Sequence, residues 1–210
     1  MEKENDVEKN KKNTKERILD ASIELFSEHG ISAVSIRDIT KKVGINESSL
    51  YNHYKNKSEI LDVIIDKFRQ DFGRAFSKNA GDLDSRLEGI GPEVFLQHHV
   101  LNLRDRMTPA VFKIWKIIYM EIFRDKRVRD FFVNEALKVS SEFYEKVFGI
   151  MAERGLIKAR DPKLLADEFN YAFMGLQIEN MLLKTDSEDI TENVKRIFAH
   201  IGFLCSAADR

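Results

Sequence analysis

Residues 35–57, SIRDITKKVGINESSLYNHYKNK, leave the backbone little freedom. Ser35 is a good N-cap, and Ile36, Ile39 and Val43 follow it near the 3.6-residue period of a helix. Gly44 stands just past the last of these apolar residues, where a left-handed backbone ends a helix and reverses the chain. Asn46 caps a second helix, and Glu47 sits in its first turn, where the helix dipole favours an anion. Leu50 and Tyr54 face back toward Ile36 and Ile39. That leaves Ser48, Ser49, Tyr51, Asn52 and His53 as an outer face of hydroxyls, amide and imidazole. A helix, a tight glycine turn and a short helix with a polar outer face form the helix-turn-helix arrangement, whose second helix enters a DNA major groove. The same spacing also occurs in a plain helical hairpin whose outer face is merely solvated.

The side chains suit DNA. Hydroxyls of Ser48, Ser49 and Tyr51 can donate to phosphates, and the Asn52 amide can read a base edge. Lys41, Lys42, Lys55 and Lys57 flank the unit, and between Lys41 and Lys57 only Glu47 opposes them. This is a local positive footprint.

The run Ser35-Ile36-Arg37-Asp38-Ile39, then Gly44-Ile45, then Ser49 to Lys57 resembles the DNA-binding signature of TetR-family transcriptional regulators. Leu50, Tyr51, His53, Tyr54 and Lys57 are its specific part, and the resemblance extends from Thr14 to Leu61. It implies a helix-turn-helix DNA-binding domain over 14–57 and a helical ligand-sensing and dimerisation domain over 58–210. By the same resemblance, DNA contacts come from Ser35, Arg37, Glu47, Ser48, Ser49, Tyr51, Asn52, His53 and Lys57. Thr40 stands where the family tends to carry Ala. Glu47 and Asn52 stand where basic residues are frequent, which points to weaker non-specific DNA affinity.

At 210 residues the chain is long enough for a large core, and 43% hydrophobic with 33% charged residues is a globular composition. The formal net charge of -1 excludes a generally basic nucleic-acid coat, so DNA binding must be local to one face. The single cysteine, Cys205, excludes an intramolecular disulfide and a cysteine-rich zinc site. No apolar run reaches membrane-span length and no signal-peptide core opens the chain, so the expectation is a cytoplasmic protein without a membrane partner.

Residues 1–13 mix Lys, Glu, Asn and Asp, cannot bury a core, and read as a disordered tail. Thr14 caps a first helix to His29, with Ile18, Leu19, Ser22, Leu25 and Phe26 as its buried stripe. Lys57 begins a helix with Ile60, Leu61, Ile64, Ile65, Phe68, Phe72 and Phe76 on one side, and 78–91 reads as a loop with a helical turn near Leu83–Leu87. Pro92, Pro109 and Pro162 mark helix starts, because the first-turn N–H has no intrahelical partner to lose. Helices are expected at 92–106, 109–124, 127–154, 162–183 and 188–207. With no strand pattern, the chain is all-α, about nine helices in total by this reading.

The apolar positions between Pro92 and Met151 are heavily aromatic. At helical spacing these are first of all core. As a group, Phe95, Phe143 and Phe148 with His98, His99, Asn102, Trp115 and Tyr119 also describe an aromatic space with a few polar groups, the make-up of a small-molecule site. The resemblance implies an inducer held there, and a homodimer interface on the last two helices, for which Phe169, Phe173, Leu176, Phe198 and Ile201 are the expected residues. Intrachain packing is the other reading of those faces.

No catalytic residues, metal ligands or cofactor motif stand out: HExxH, GxSxG, a P-loop and a dinucleotide fingerprint are absent from the sequence, and the neighbours His98 and His99 point about 100° apart on a helix. The expectation is therefore a homodimeric regulator of double-stranded DNA at an inverted repeat, a repressor released by a small apolar or aromatic effector. The alternative is an architectural or adaptor DNA-binding protein of the same fold without an inducer.

Overall fold

The computed structural model describes residues 13–77, 80–158, 161–186 and 188–208. Among these every regular element is helical. They are α1 (Thr14–His29), α2 (Ile36–Val43), α3 (Glu47–Tyr51), α4 (Lys57–Ala75), α5 (Ala80–Arg86), α6 (Pro92–Arg106), α7 (Pro109–Glu121), α8 (Lys126–Phe131), α9 (Leu137–Glu153), α10 (Pro162–Thr185) and α11 (Thr191–Ala208). A π-helical stretch, Phe132–Ala136, joins α8 to α9, so the single long helix expected over 127–154 is interrupted. The tail expected over 1–13 lies, Asn13 apart, outside the described residues.

The helices start where the backbone chemistry allows. Pro92 follows the N-cap Gly91, and Pro162 follows Asp161, whose carboxylate accepts from the Leu164 amide at 3.0 Å. α1 is capped by Asn13 rather than by Thr14. Asn13 Oδ1 accepts from the Glu16 amide at 2.9 Å while the Glu16 carboxylate accepts from the Asn13 amide at 3.1 Å. This reciprocal pair satisfies two amides that the helix itself cannot.

The chain forms two compact units, each assembled from two stretches of sequence. The first unit runs up to Phe68 and also takes in Lys113–Val128; the second comprises Arg69–Phe112 and the chain from Arg129 onward. In the first unit Ile18, Phe26, Ile39, Leu50 and Ile64 are fully buried, as are Ile117, Ile118 and Val128 from the later segment. Arg127 donates to Asp62 at 2.6 Å and to Asp125 at 2.6 Å, an ion-pair set that fastens the later segment to α4. In the second unit α9 and α10 pack along their length through aromatic side chains. Tyr144 meets Phe169 edge-on with ring centroids 4.7 Å apart, and Phe148 meets the same ring at 6.1 Å.

Candidate nucleic-acid interface

α2 is fixed at both ends. The Ser35 hydroxyl accepts from the Asp38 amide at 3.1 Å, and the Asp38 carboxylate accepts from the Ser35 amide at 2.8 Å and its hydroxyl at 2.6 Å. Those bonds from Ser35 hold the Asp38 carboxyl below the ordinary range. At the other end Gly44 has φ 75° and ψ 40°, and the amides of Gly44 and Ile45 both return to the Thr40 carbonyl at 2.9 and 3.1 Å. Arg17 of α1 closes this end by donating to the Val43 carbonyl at 2.5 Å. The Gly44 conformation is one an L side chain resists, so glycine sets the turn angle between α2 and α3.

α3 is a single short turn and a half, held from below. Asn46 Oδ1 accepts from the Ser49 amide at 2.7 Å. Leu50 is fully buried, and Tyr54 lies beneath with its hydroxyl donating to the Lys15 carbonyl at 3.4 Å and the Lys15 ammonium 5.4 Å above its ring. Because both anchors lie on one side, the other side is turned outward. Glu47, Ser48, Tyr51 and Asn52 are exposed, Tyr51 by 50%, and Ser49 and His53 are half-buried. Arg37, Lys41, Lys42 and Lys55 are exposed on the flanks. Lys42 pairs with Glu24 at 3.0 Å, and that hydrogen bond holds the Glu24 carboxyl below its usual value. Ser35 is also exposed, but its hydroxyl is already engaged as the cap of α2.

Lys57 differs from the other expected DNA residues. Its ammonium turns back into the unit and donates to the carbonyls of Ile31 at 2.7 Å and Val34 at 2.5 Å, tying the first residue of α4 to the link between α1 and α2. An ammonium carries three donors. Two are therefore committed to backbone acceptors that no helix satisfies. Sequence spacing shows a lysine beside the reading helix; it does not show where the long side chain bends.

The residues expected to share an effector pocket are distributed between the two units. In the second, Phe95, His99, Phe143 and Phe148 are buried. His99 stacks on Phe143 at 4.8 Å and meets Phe76 edge-on at 5.8 Å. His98 and Asn102 are exposed on α6. Trp115 and Tyr119 belong to the first unit, where the Trp115 ring meets Phe68 at 4.7 Å and Tyr119 at 5.6 Å. Burial raises the Tyr119 hydroxyl above its ordinary pKa.

Of the residues expected at a dimer interface, Phe169, Phe173 and Ile201 are buried inside the second unit and Leu176 and Phe198 are half-buried. The apolar face that α10 leaves outward is a different one: Leu164, Tyr171, Ile178 and Leu182, with Phe203 on α11, each 44% to 68% exposed. The spacing of seven, seven and four residues along α10 was the available signal, and it is a helical stripe. α10 is apolar on two faces, and packing on α9 decides which one is inside.

Residues 18–64 match the family of bacterial regulatory proteins, tetR family. The transcriptional repressor KstR2 of Rhodococcus jostii is 40% identical over 70 residues, which are 33% of this chain and 34% of KstR2. The chain spans 34%, 41% and 60% of the length of three curated relatives that it matches. Over nearly the whole chain the similarity is one of fold. A TetR-family transcriptional regulator from Mesorhizobium loti superposes with a TM-score of 0.66 at 19% identity, covering 92% of this chain and 95% of that one. SmeT of Stenotrophomonas maltophilia, in complex with triclosan, superposes with a TM-score of 0.61 at 20% identity, covering 94% of this chain and 92% of that one.

Proposed function

We propose that this chain, a member of the TetR family of bacterial regulatory proteins, is a sequence-specific DNA-binding repressor that acts as a homodimer and releases DNA when a small apolar or aromatic molecule binds its second unit. One observation carries the DNA-binding reading. α3 is anchored through Leu50, capped by Asn46 and aimed by the left-handed Gly44, so that Ser48, Tyr51 and Asn52 stand outward on a preset short helix. Hydroxyls on such a helix position the protein on phosphates, and the Asn52 amide has the donor and acceptor needed at an adenine edge. Arg37, Lys41 and Lys55 supply the local positive charge, and Glu47 restrains non-specific attraction.

The dimer reading rests on the outward stripe of α10 with Phe203, an unusual set of large apolar side chains to leave in water. A second copy laid on this face buries the stripe against itself by two-fold symmetry. Two reading helices then lie about one DNA turn apart, roughly 34–36 Å or a multiple, and the operator is an inverted repeat. The effector reading is supported by the aromatic interior of the second unit and by the triclosan complex of SmeT, a protein of the same fold. Linkage requires DNA and effector to weaken each other by one factor, typically worth about 1–3 kcal/mol. No helix among the described residues is long and apolar enough to cross a membrane, and the work of a bacterial repressor is done in the cytoplasm.

Selection of bound fragments from random duplex DNA tests the reading. Enrichment of one inverted repeat, lost in an Asn52→Ala variant that still folds, is the expected result. Uniform recovery of all sequences points to the architectural alternative and overturns the repressor reading.

A further inference from the structure

Six side-chain atoms in the second unit are buried without a hydrogen-bond partner among the described residues, and three of them belong to aromatic rings: His99 Nε2, Tyr144 Oη and His200 Nε2. Their rings run through one aromatic cluster. His99 stacks on Phe143 at 4.8 Å and meets Tyr144 edge-on at 5.7 Å; Tyr144 meets Phe169 at 4.7 Å; Phe169 stacks on His200 at 6.4 Å. Tyr144 is fully buried and His99 is 3% exposed. Asn170, next to Phe169 in sequence and 1% exposed, adds an unpartnered carbonyl oxygen. Folded proteins rarely leave such groups unmatched, and a cluster of them in one small core calls for a specific reason.

The groups on offer are all neutral. Burial, reinforced by the charges of Arg86 and Arg106, lowers the His99 pKa to about 3. Burial likewise raises the Tyr144 hydroxyl above its ordinary range. The same desolvation penalises a charged ligand, and no ammonium or carboxylate carries the unpartnered atoms. Arg86 is turned over the Phe95 ring at 5.3 Å, and Arg106 is exposed.

We propose that the effector is an uncharged, flat, mainly apolar molecule bearing a hydroxyl or carbonyl group, which parts the packed rings of Phe143, Tyr144 and Phe169 and bonds through its polar atom to Tyr144 Oη and His99 Nε2. This rests on the effector reading above and names the chemical class that satisfies it. A neutral ligand with one donor or acceptor completes bonds that the protein leaves unmade; an ionised acid must give up its hydration in that interior.

Calorimetric titration of the full chain with naphthol and with naphthoate, near neutral pH, tests the class with one ring system and two charges. Naphthol binds, and naphthoate binds at least about tenfold more weakly. Tyr144→Phe lowers naphthol affinity by about five- to tenfold, one hydrogen bond's worth, without lowering the melting temperature, because the hydroxyl removed has no protein partner. His99→Phe, which keeps the ring stacking, repeats the loss independently. Equal or tighter binding of naphthoate, no binding of either probe, or unchanged naphthol affinity in both variants overturns the proposal. Operator release is read separately. Naphthol that binds without releasing DNA defeats the effector reading and leaves the class standing; release by some other molecule, with neither naphthalene bound, does the reverse.

Discussion

Replacing Lys57 by methionine separates two roles that a lysine beside a reading helix can play. The aliphatic stem is kept and the ammonium is lost, so the carbonyls of Ile31 and Val34 lose donors at 2.7 and 2.5 Å. Charge-assisted hydrogen bonds are worth about 1.5–3 kcal/mol each when well shielded. Lys57 is only half-buried, and water replaces part of what is lost. A cation in the first turn of a helix also sits at the wrong end of the dipole, so its removal returns about 0.3–1 kcal/mol. The net expectation is a destabilisation of about 2 kcal/mol, which for a chain of this size is a fall in melting temperature of about 4–8 °C.

The assay has two readouts. Urea denaturation followed by circular dichroism gives the stability change. Anisotropy of a labelled operator over a range of salt gives the number of phosphates neutralised. Each lost phosphate contact lowers the slope of log affinity against log salt by about 0.9. A lysine that works as a structural clamp leaves that slope unchanged and weakens all sequences alike. A variant of undiminished stability whose slope falls by one contact per subunit would refute the argument, and would mean that the ammonium leaves its carbonyls for DNA.

Tyr171→Glu puts a charge on the outward stripe of α10 and is expected to give a folded monomer by sedimentation at micromolar concentration, with weakened operator binding. Phe173→Glu instead buries a charge in the second unit, where the residue is 3% exposed, and is expected to unfold that unit. Gly44→Ala costs about 1–2 kcal/mol through the left-handed backbone alone, since an added Cβ meets nothing within 4 Å; denaturant midpoints measure it. His99 supplies a pH dependence whose sign is fixed. Its folded pKa of about 3 lies below the ordinary 6.5, so the unfolded chain binds the proton first. Stability is full above 6.5 and falls through the window down to 3 by about 1.4 kcal/mol per pH unit, a slope that His99→Phe removes.

The helix-turn-helix was legible because its signals are local. Ser35, Gly44 and Asn46 act within four residues of themselves, and the cap, turn and cap they announce are the ones observed. Proline likewise marked the starts of α6, α7 and α10. Where a side chain reaches across the chain, sequence spacing was mute. The two carbonyls that hold Lys57 lie 26 and 23 residues away. Adjacency sets His98 and His99 about 100° apart, and packing on Phe143 makes His99 the inward one. Phe169 and Phe173 were the residues expected to face a partner, and contact with Tyr144 draws them inward while Leu164 and Tyr171 stay outside. Trp115 and Tyr119 follow Phe112 on the same helix, yet the division between units falls between them and Phe112.

The π-helical stretch Phe132–Ala136 makes the length of this part of the chain discrete. Buried positions elsewhere along α9 step by three or four residues, as from Ala136 to Ser140, Phe143 and Val147; from Phe131 to Ala136 the step is five. Two helical phases are spliced there with one residue too many for an α-helix, and the extra turn presents Glu135 to Arg69 at 2.7 Å. Removing a single residue inside the splice shortens that step to four, which a regular α-helix spans with Phe143 and Tyr144 still turned to the core. A relative whose chain is one residue shorter here can keep the same aromatic interior on an unbroken helix, and aligning the two without a gap at this point would pair residues about 100° apart around the helix.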